Sequence, residues 1–260
     1  MTEQTPSLPN EAGQTLAGRH AIVTGGASGI GAGIARVLAA HGARVTVADL
    51  NAEAAEVMAG EIGGSAWTVD LGLTTDLDGL SLDADILVNC AGIQHVAPIE
   101  EFDPDRFRLI HRIMVEAPFL LIRAALPHMY AQGFGRIVNI SSVHGLVASP
   151  FKSAYVSAKH ALEGLSKVVA LEGAEKGVTS VCINPGYAWT PLVENQLVDQ
   201  AKAHGMAIDE VKDKVLLAPQ PIKEFVQPSD LGEMVAFVCG PHGAMISGTN
   251  LIADGAWTAR

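Results

Sequence analysis

The stretch HAIVTGGASGIG (residues 20–31) decides how this chain folds. Its first five residues are mostly apolar and partly β-branched, as in a strand covered on both faces. Glycines then cluster at Gly25, Gly26, Gly29 and Gly31, and a run rich in Ala, Ile, Val and Leu at helical spacing continues to His41 and stops at Gly42. A strand that turns through glycines into a helix points free N–H groups and a helix N-terminus at one spot, which suits a pyrophosphate. Gly25, Ser28, Gly29, Ile30 and Gly31 are the candidate contacts.

Outward from that loop, strand-like and helix-like runs alternate. ARVTVAD (43–49) reads as the second strand, followed by a helix (51–62), a strand (65–69) and the strand DILVN (85–89). A long helix covers roughly 103–132. The strand RIVNIS (136–141), a helix (153–176) and the strand TSVCIN (179–184) follow it. A helix (229–239) and a last strand (249–253) close the chain. The connection 70–85 has room for one helical turn at most, and 190–226, polar and bounded by prolines, reads as a small helical lid outside the sheet. Repeated β-α alternation with short connections implies an α/β fold, a single doubly wound Rossmann domain with a mostly parallel seven-stranded sheet and helices on both faces. The domain is expected over 18–260, with a mobile tail at 1–17.

Asp49 ends the second strand, 18 residues beyond Gly31. A carboxylate there can accept both ribose hydroxyls of an adenosine and repels a 2′-phosphate, and the glycine loop holds no Lys or Arg to reward one. The expected cofactor is NAD rather than NADP.

Composition narrows the rest. The 260 residues are 48% hydrophobic and 17% charged, with net charge −11. Such a chain is too apolar for disorder. Its longest apolar stretch, Ile113 to Leu126, is broken by Glu116, Pro118 and Arg123, so no membrane span is expected. The acidity argues against a nucleic-acid partner, which needs clustered Lys and Arg. Cys90, Cys182 and Cys239 lie far apart in apolar runs, and the N-terminus lacks a basic segment followed by an apolar one. A reducing, cytoplasmic setting is expected. No metal is expected.

The strongest chemical signal is Ser142 followed by Tyr155-x-x-x-Lys159. Four-residue spacing puts Tyr155 and Lys159 on one helix face, where an ammonium favours the phenolate of a phenol whose ordinary pKa is about 10. Ser142 ends a strand, with its hydroxyl free to hold a carbonyl or alcohol oxygen. His144 and Lys152 flank these residues and are read as positive donors beside the chemistry, with the amides of Gln94 and Gln196 as further donors, so a small anionic substrate is expected.

Together, the glycine loop, NCAG (89–92), Ser142, Tyr155-x-x-x-Lys159 and NPG (184–186) resemble the short-chain dehydrogenase/reductase family over about residues 17–260. AGIQH (91–95), SVHGL (142–146), TPLVENQ (190–196) and DGAWTAR (254–260) look like its bacterial (R)-3-hydroxybutyrate dehydrogenase branch. That resemblance implies a tetrameric NAD enzyme that oxidises 3-hydroxybutyrate to acetoacetate, with Tyr155 as base. It also implies that Gln94, His144, Lys152 and Gln196 hold the substrate carboxylate while Tyr187 and Trp257 close the apolar side. Asp70 and Leu71 would flank the adenine, Asn89 the ribose and Thr190 the nicotinamide amide, with Ala91, Gly92, Pro185 and Gly186 lining the cofactor.

Met114 departs from the family pattern, which places an Asn there as a fourth catalytic residue. Pro118 lacks an N–H and leaves the carbonyl of residue 114 free, so the backbone is expected to preserve the proton relay at reduced efficiency. Tyr187 stands where Trp is usual. The rival readings are a dehydrogenase of another hydroxy acid or a neutral alcohol, and a weakly catalytic NAD-binding sensor. The apolar surplus on 103–132 and 153–176, at Ile113, Leu120, Leu121, Val168, Val169 and Leu171, exceeds what one sheet-facing stripe needs and points to a homotetramer interface. The end of the chain, Ala256 to Arg260, is a candidate to join it.

Overall fold

The structure, a computed structural model, describes residues 14–259, with the side chains at 192, 195, 196, 203 and 209 outside the description. Most of the expected tail therefore lies outside the described residues. Its last part does not behave as a tail. Leu16 is buried, and its N–H donates to the His41 carbonyl at 2.9 Å, sealing the end of the first helix.

Seven strands form one parallel sheet: β1 His20–Thr24, β2 Arg44–Asp49, β3 Ser65–Thr68, β4 Ile86–Asn89, β5 Gly135–Ile140, β6 Val178–Pro185 and β7 Asn250–Ala253, in the order β3-β2-β1-β4-β5-β6-β7. Alternate residues of β1 face opposite sides. Ala21 and Val23 pack with α1 (Gly29–Ala40), α2 (Ala52–Ile62) and residues of a helix near the C-terminus, whereas Ile22 packs towards the helices of the other face. Both faces are therefore covered, which is why the strands read as unbroken apolar runs. The 70–85 connection contains one 3-10 turn, Thr74–Leu77, as its length required.

The helix expected over 103–132 is not one α-helix. α3 (Pro104–His111) and α4 (Ala117–Gln132) flank a π-helical turn at Arg112–Glu116, closed by the Ala117 N–H on the Arg112 carbonyl. The cause is local. Pro118 cannot donate to residue 114, and its ring crowds that carbonyl, so the turn widens instead. Met114 sits in this widened turn, fully buried.

α5 (Ser153–Gly173) runs behind β5 and β6 and ends in a short 3-10 turn at Ala174–Lys176. Beyond β6, α6 (Pro191–His204) starts at Thr190, whose hydroxyl accepts from the Val193 N–H, and α7 (Ile208–Val211) runs into a second π turn at Lys212–Leu216. This segment has its own small core of Tyr187, Val193, Ala201, Val211 and Leu216. α8 (Pro228–Cys239) returns to pack on α1, its Leu231 and Val235 fully buried. Among the described residues, no helix is long and apolar enough to cross a membrane.

Candidate active site

β1 and β4 are neighbours from which the chain leaves in opposite directions along the sheet. A crevice opens at the carboxyl ends of strands at such a switch point. A cavity of about 330 Å³ lies there, lined by the glycine loop, the ends of β2, β4, β5 and β6, and the start of α6.

At its cofactor end the loop is built by close backbone approach. Gly25 has a positive φ of 61°, and a Cβ there would lie 2.9 Å from the Ala91 Cα. At Gly31 a Cβ would lie 2.1 Å from the Gly25 carbonyl oxygen, so only glycine lets the loop close on the first turn of α1. Thr24, which sequence reasoning did not single out, ties the two loops together: its hydroxyl accepts from the Cys90 and Ala91 N–H groups at 3.0 and 3.1 Å. Ser28, Gly29, Ile30, Asp49, Asp70, Leu71, Gly92, Pro185, Gly186 and Thr190 line the same cavity. Asp49 stands at its rim, accepting from the Ala27 and Asn51 N–H groups, both at 3.1 Å. A cradle of glycines at a helix N-terminus with a carboxylate 18 residues on fits an adenosine dinucleotide. Asn89 differs from its expected place. Its side chain is buried in the sheet, with Nδ2 donating to Asn139 Oδ1 at 2.9 Å, and does not line the cavity.

At the other end, Ser142, Tyr155 and Lys159 converge as expected. Ser142 follows β5, and Tyr155 and Lys159 come from the first turns of α5. Lys159 Nζ donates to the Ile140 carbonyl at 2.7 Å and lies 5.5 Å from the Tyr155 ring centre. Burial pushes the Lys159 ammonium down to about 8, opposed by Cys90, Cys182 and Glu163. Tyr155 goes the other way from the expected lowering. Burial pushes its phenol up to about 12, with a hydrogen bond to Ser142 pulling down and Cys90 pushing up. The cost of burying a phenolate outweighs the nearby ammonium.

Lys152 is buried, and its Nζ donates to the Tyr187 hydroxyl at 2.7 Å. Burial lowers its pKa to about 8. Trp257 stacks on Tyr187 (5.7 Å between ring centres) and meets His144 edge-on, so Tyr187, Trp257 and His144 form one aromatic wall. His144 is not the positive donor expected. Burial, then the charges of Lys152 and His160, hold its pKa down at about 3, so the ring is neutral. Its Nε2 lies 2.8 Å from Ser149 Oγ and its Nδ1 3.4 Å from Ser142 Oγ, placing it to orient Ser142. Gln94 lines the cavity with its Oε1 accepting from the His95 N–H. The side chain of Gln196 lies outside the described residues. Met114 does not line the cavity; it packs beneath Gly92, in a cluster with Ile93 and Tyr155, and Ile113 lines the wall instead.

The arrangement is that of an oxidoreductase with a nicotinamide cofactor at one end of its cleft and an acid–base pair at the other. The short chain dehydrogenase profile matches residues 19–201, so the chain belongs to the short-chain dehydrogenase/reductase family. It is 42% identical to a protein of Rhizobium meliloti named D-beta-hydroxybutyrate dehydrogenase, over 93% of this chain and 99% of that protein. It is likewise 42% identical to one of the same name from Cupriavidus necator, over 94% of this chain and all of the other. A solved structure from Beutenbergia cavernae, described as a candidate NAD(P)-dependent gluconate 5-dehydrogenase with NADP at low occupancy, superposes with a TM-score of 0.83 at 32% identity, covering 96% of this chain and all of that one.

Proposed function

We propose that the protein oxidises a short 3-hydroxy acid with NAD, the leading substrate being (R)-3-hydroxybutyrate and the product acetoacetate. Lys152 carries this reading. Its buried ammonium shares a cavity with Ser142 and Tyr155, yet among the described residues its hydrogen-bond partner is a neutral phenol. A buried charge is costly without a partner of opposite sign, and a substrate carboxylate supplies one. The names of the two relatives at 42% identity agree with it.

Ser142 holds the reacting oxygen, kept in place by neutral His144. Tyr155 takes the hydroxyl proton; burial raises its phenol, and the charge of Lys159 together with that of a bound nicotinamide ring would offset this rise. A nicotinamide cofactor bound in this cleft would supply the hydride acceptor. Gln94 and Gln196 add amide donors for the carboxylate, and Tyr187 with Trp257 covers the apolar carbons. Residues 190–226 are the lid, whose closure would exclude water. Asp49 selects NAD, since its charge faces the place a 2′-phosphate would occupy.

The test is NADH formation at 340 nm across 3-hydroxy acids of rising chain length and neutral alcohols, each with NAD and with NADP. Turnover of 3-hydroxybutyrate with NAD in preference to NADP is expected. A preference for neutral alcohols would overturn the substrate, and no turnover of any alcohol would favour a sensor.

A further inference from the structure

On α5, Tyr155, Lys159 and Glu163 follow one another at four-residue spacing, so one buried helix face carries a phenol, an ammonium and a carboxyl in a row. Glu163 is as deep as Lys159, 5% and 4% exposed. Its Oε1 accepts from Asn184 Nδ2 at 2.6 Å, and the same amide nitrogen donates to the Ser142 carbonyl at 2.8 Å. Among the described residues its Oε2 has no partner at hydrogen-bond distance, and neither do Ser141 Oγ and Asn184 Oδ1. Gly145 gives the carboxyl its space. A Cβ there would come within 2.6 Å of Glu163 Oε1 and 2.5 Å of Ser141 Oγ.

A carboxyl buried this deeply, with only an amide and the Cys182 thiol as side-chain donors, is costly unless a charge compensates it. Lys159, one turn back, supplies that opposite charge through space and not in a direct ion pair, its Nζ donating to the Ile140 carbonyl. The other titratable groups around the pair are Tyr155 on α5, Cys90 after β4 and Cys182 on β6, with His144 against Tyr155 and Asp49 acting on Cys90. Burial holds the Cys90 thiol up at about 12 and raises Cys182 as well, so neither thiol is charged near neutral pH. His144 is neutral. Glu163 is left as the carboxyl that faces Lys159 from within the protein.

We infer that Glu163 is the buried counter-charge of Lys159, a positioning residue that acts through Lys159 on Tyr155 without touching the substrate. The inference rests on the reading of Tyr155 as base, and one of its two tests does not need turnover. Tyr155 and Lys159 titrate as a coupled pair, and a nearby negative charge raises both steps. Glu163→Gln keeps the shape and the acceptor for Asn184 but removes the charge. With whichever alcohol the enzyme oxidises, both limbs of the kcat profile should move to lower pH by about one unit, whereas Glu163→Asp should keep the wild-type limbs. A fall in kcat with unmoved limbs in Glu163→Gln would show that Glu163 only packs, and would overturn the inference. Without any substrate, the Lys159 ¹³Cε resonance in lysine-labelled protein, assigned by its loss in Lys159→Arg, reports the same charge. Its titration midpoint should fall in Glu163→Gln. An unchanged midpoint overturns the inference whatever the substrate proves to be.

Discussion

Two neighbouring donors, Lys152 and His144, look alike in the sequence and differ in the fold. Both are buried beside the chemistry, but the imidazole is the weaker base and burial neutralises it, while the ammonium keeps its proton below about pH 8. The sign for Lys152 follows. A cation whose pKa is lowered is charged below that value and neutral above it. KM for a 3-hydroxy acid should therefore stay flat up to about pH 8 and then rise roughly tenfold per unit. Initial rates from pH 6 to 10 check this, and a KM that stays flat to pH 10 would remove Lys152 from the anion site. Tyr155 and Lys159 were legible as a pair because four-residue spacing puts them on one helix face, whereas Ser142 joins them only through the fold, from the end of β5. Their charge states were not legible, because burial sets them and burial depends on chain segments far away in sequence. Glu163 escaped for the same reason: a Glu on a helix usually reads as a solvated face.

At the scale of elements, the glycine loop was the most legible part, since strand, turn and helix each leave their own period. The break between α3 and α4 was only half legible. Pro118 foretold a free carbonyl at residue 114 but not that the backbone would answer with a π turn at Arg112–Glu116. This widened turn bears on Met114. Its side chain is buried beneath Gly92 and outside the cavity, leaving the backbone carbonyl as the polar group this position has to offer. We expect Met114→Asn to match the wild type in kcat within about threefold, well inside the 10²–10⁴ of a catalytic proton-transfer group. A wild type without turnover beside an active Met114→Asn would show that the relay is broken.

At the scale of the whole molecule, the apolar surplus divides in two. Leu121 and Val169 turn out to be core residues, whereas Val168 and Leu171 on α5 and Phe119 on α4 are exposed. The period of a helix marks a second apolar stripe but not which of its residues turn inward, because that depends on how the helix is rotated against the sheet. Leu165 of α5 lines a groove where Phe107, Val115 and Phe119 alternate with Arg108, His111, Arg112 and Glu116. We propose that further copies of this chain cover the exposed stripe in a homotetramer. Sedimentation should give a tetramer for the wild type and smaller species for Val168→Glu/Leu171→Glu, and a monomeric wild type would contradict this.

The central claim is that a buried ammonium makes this a hydroxy-acid enzyme. Its most direct test is kcat/KM of wild type and Lys152→Ala, at pH 7 with saturating NAD, for 3-hydroxybutyrate and for a neutral secondary alcohol of the same length. Losing a charged hydrogen bond of about 1.5–3 kcal/mol should cut the value for the acid roughly 10- to 100-fold through KM, and leave the alcohol nearly unchanged. An equal loss for both substrates, or none for the acid, would contradict the account.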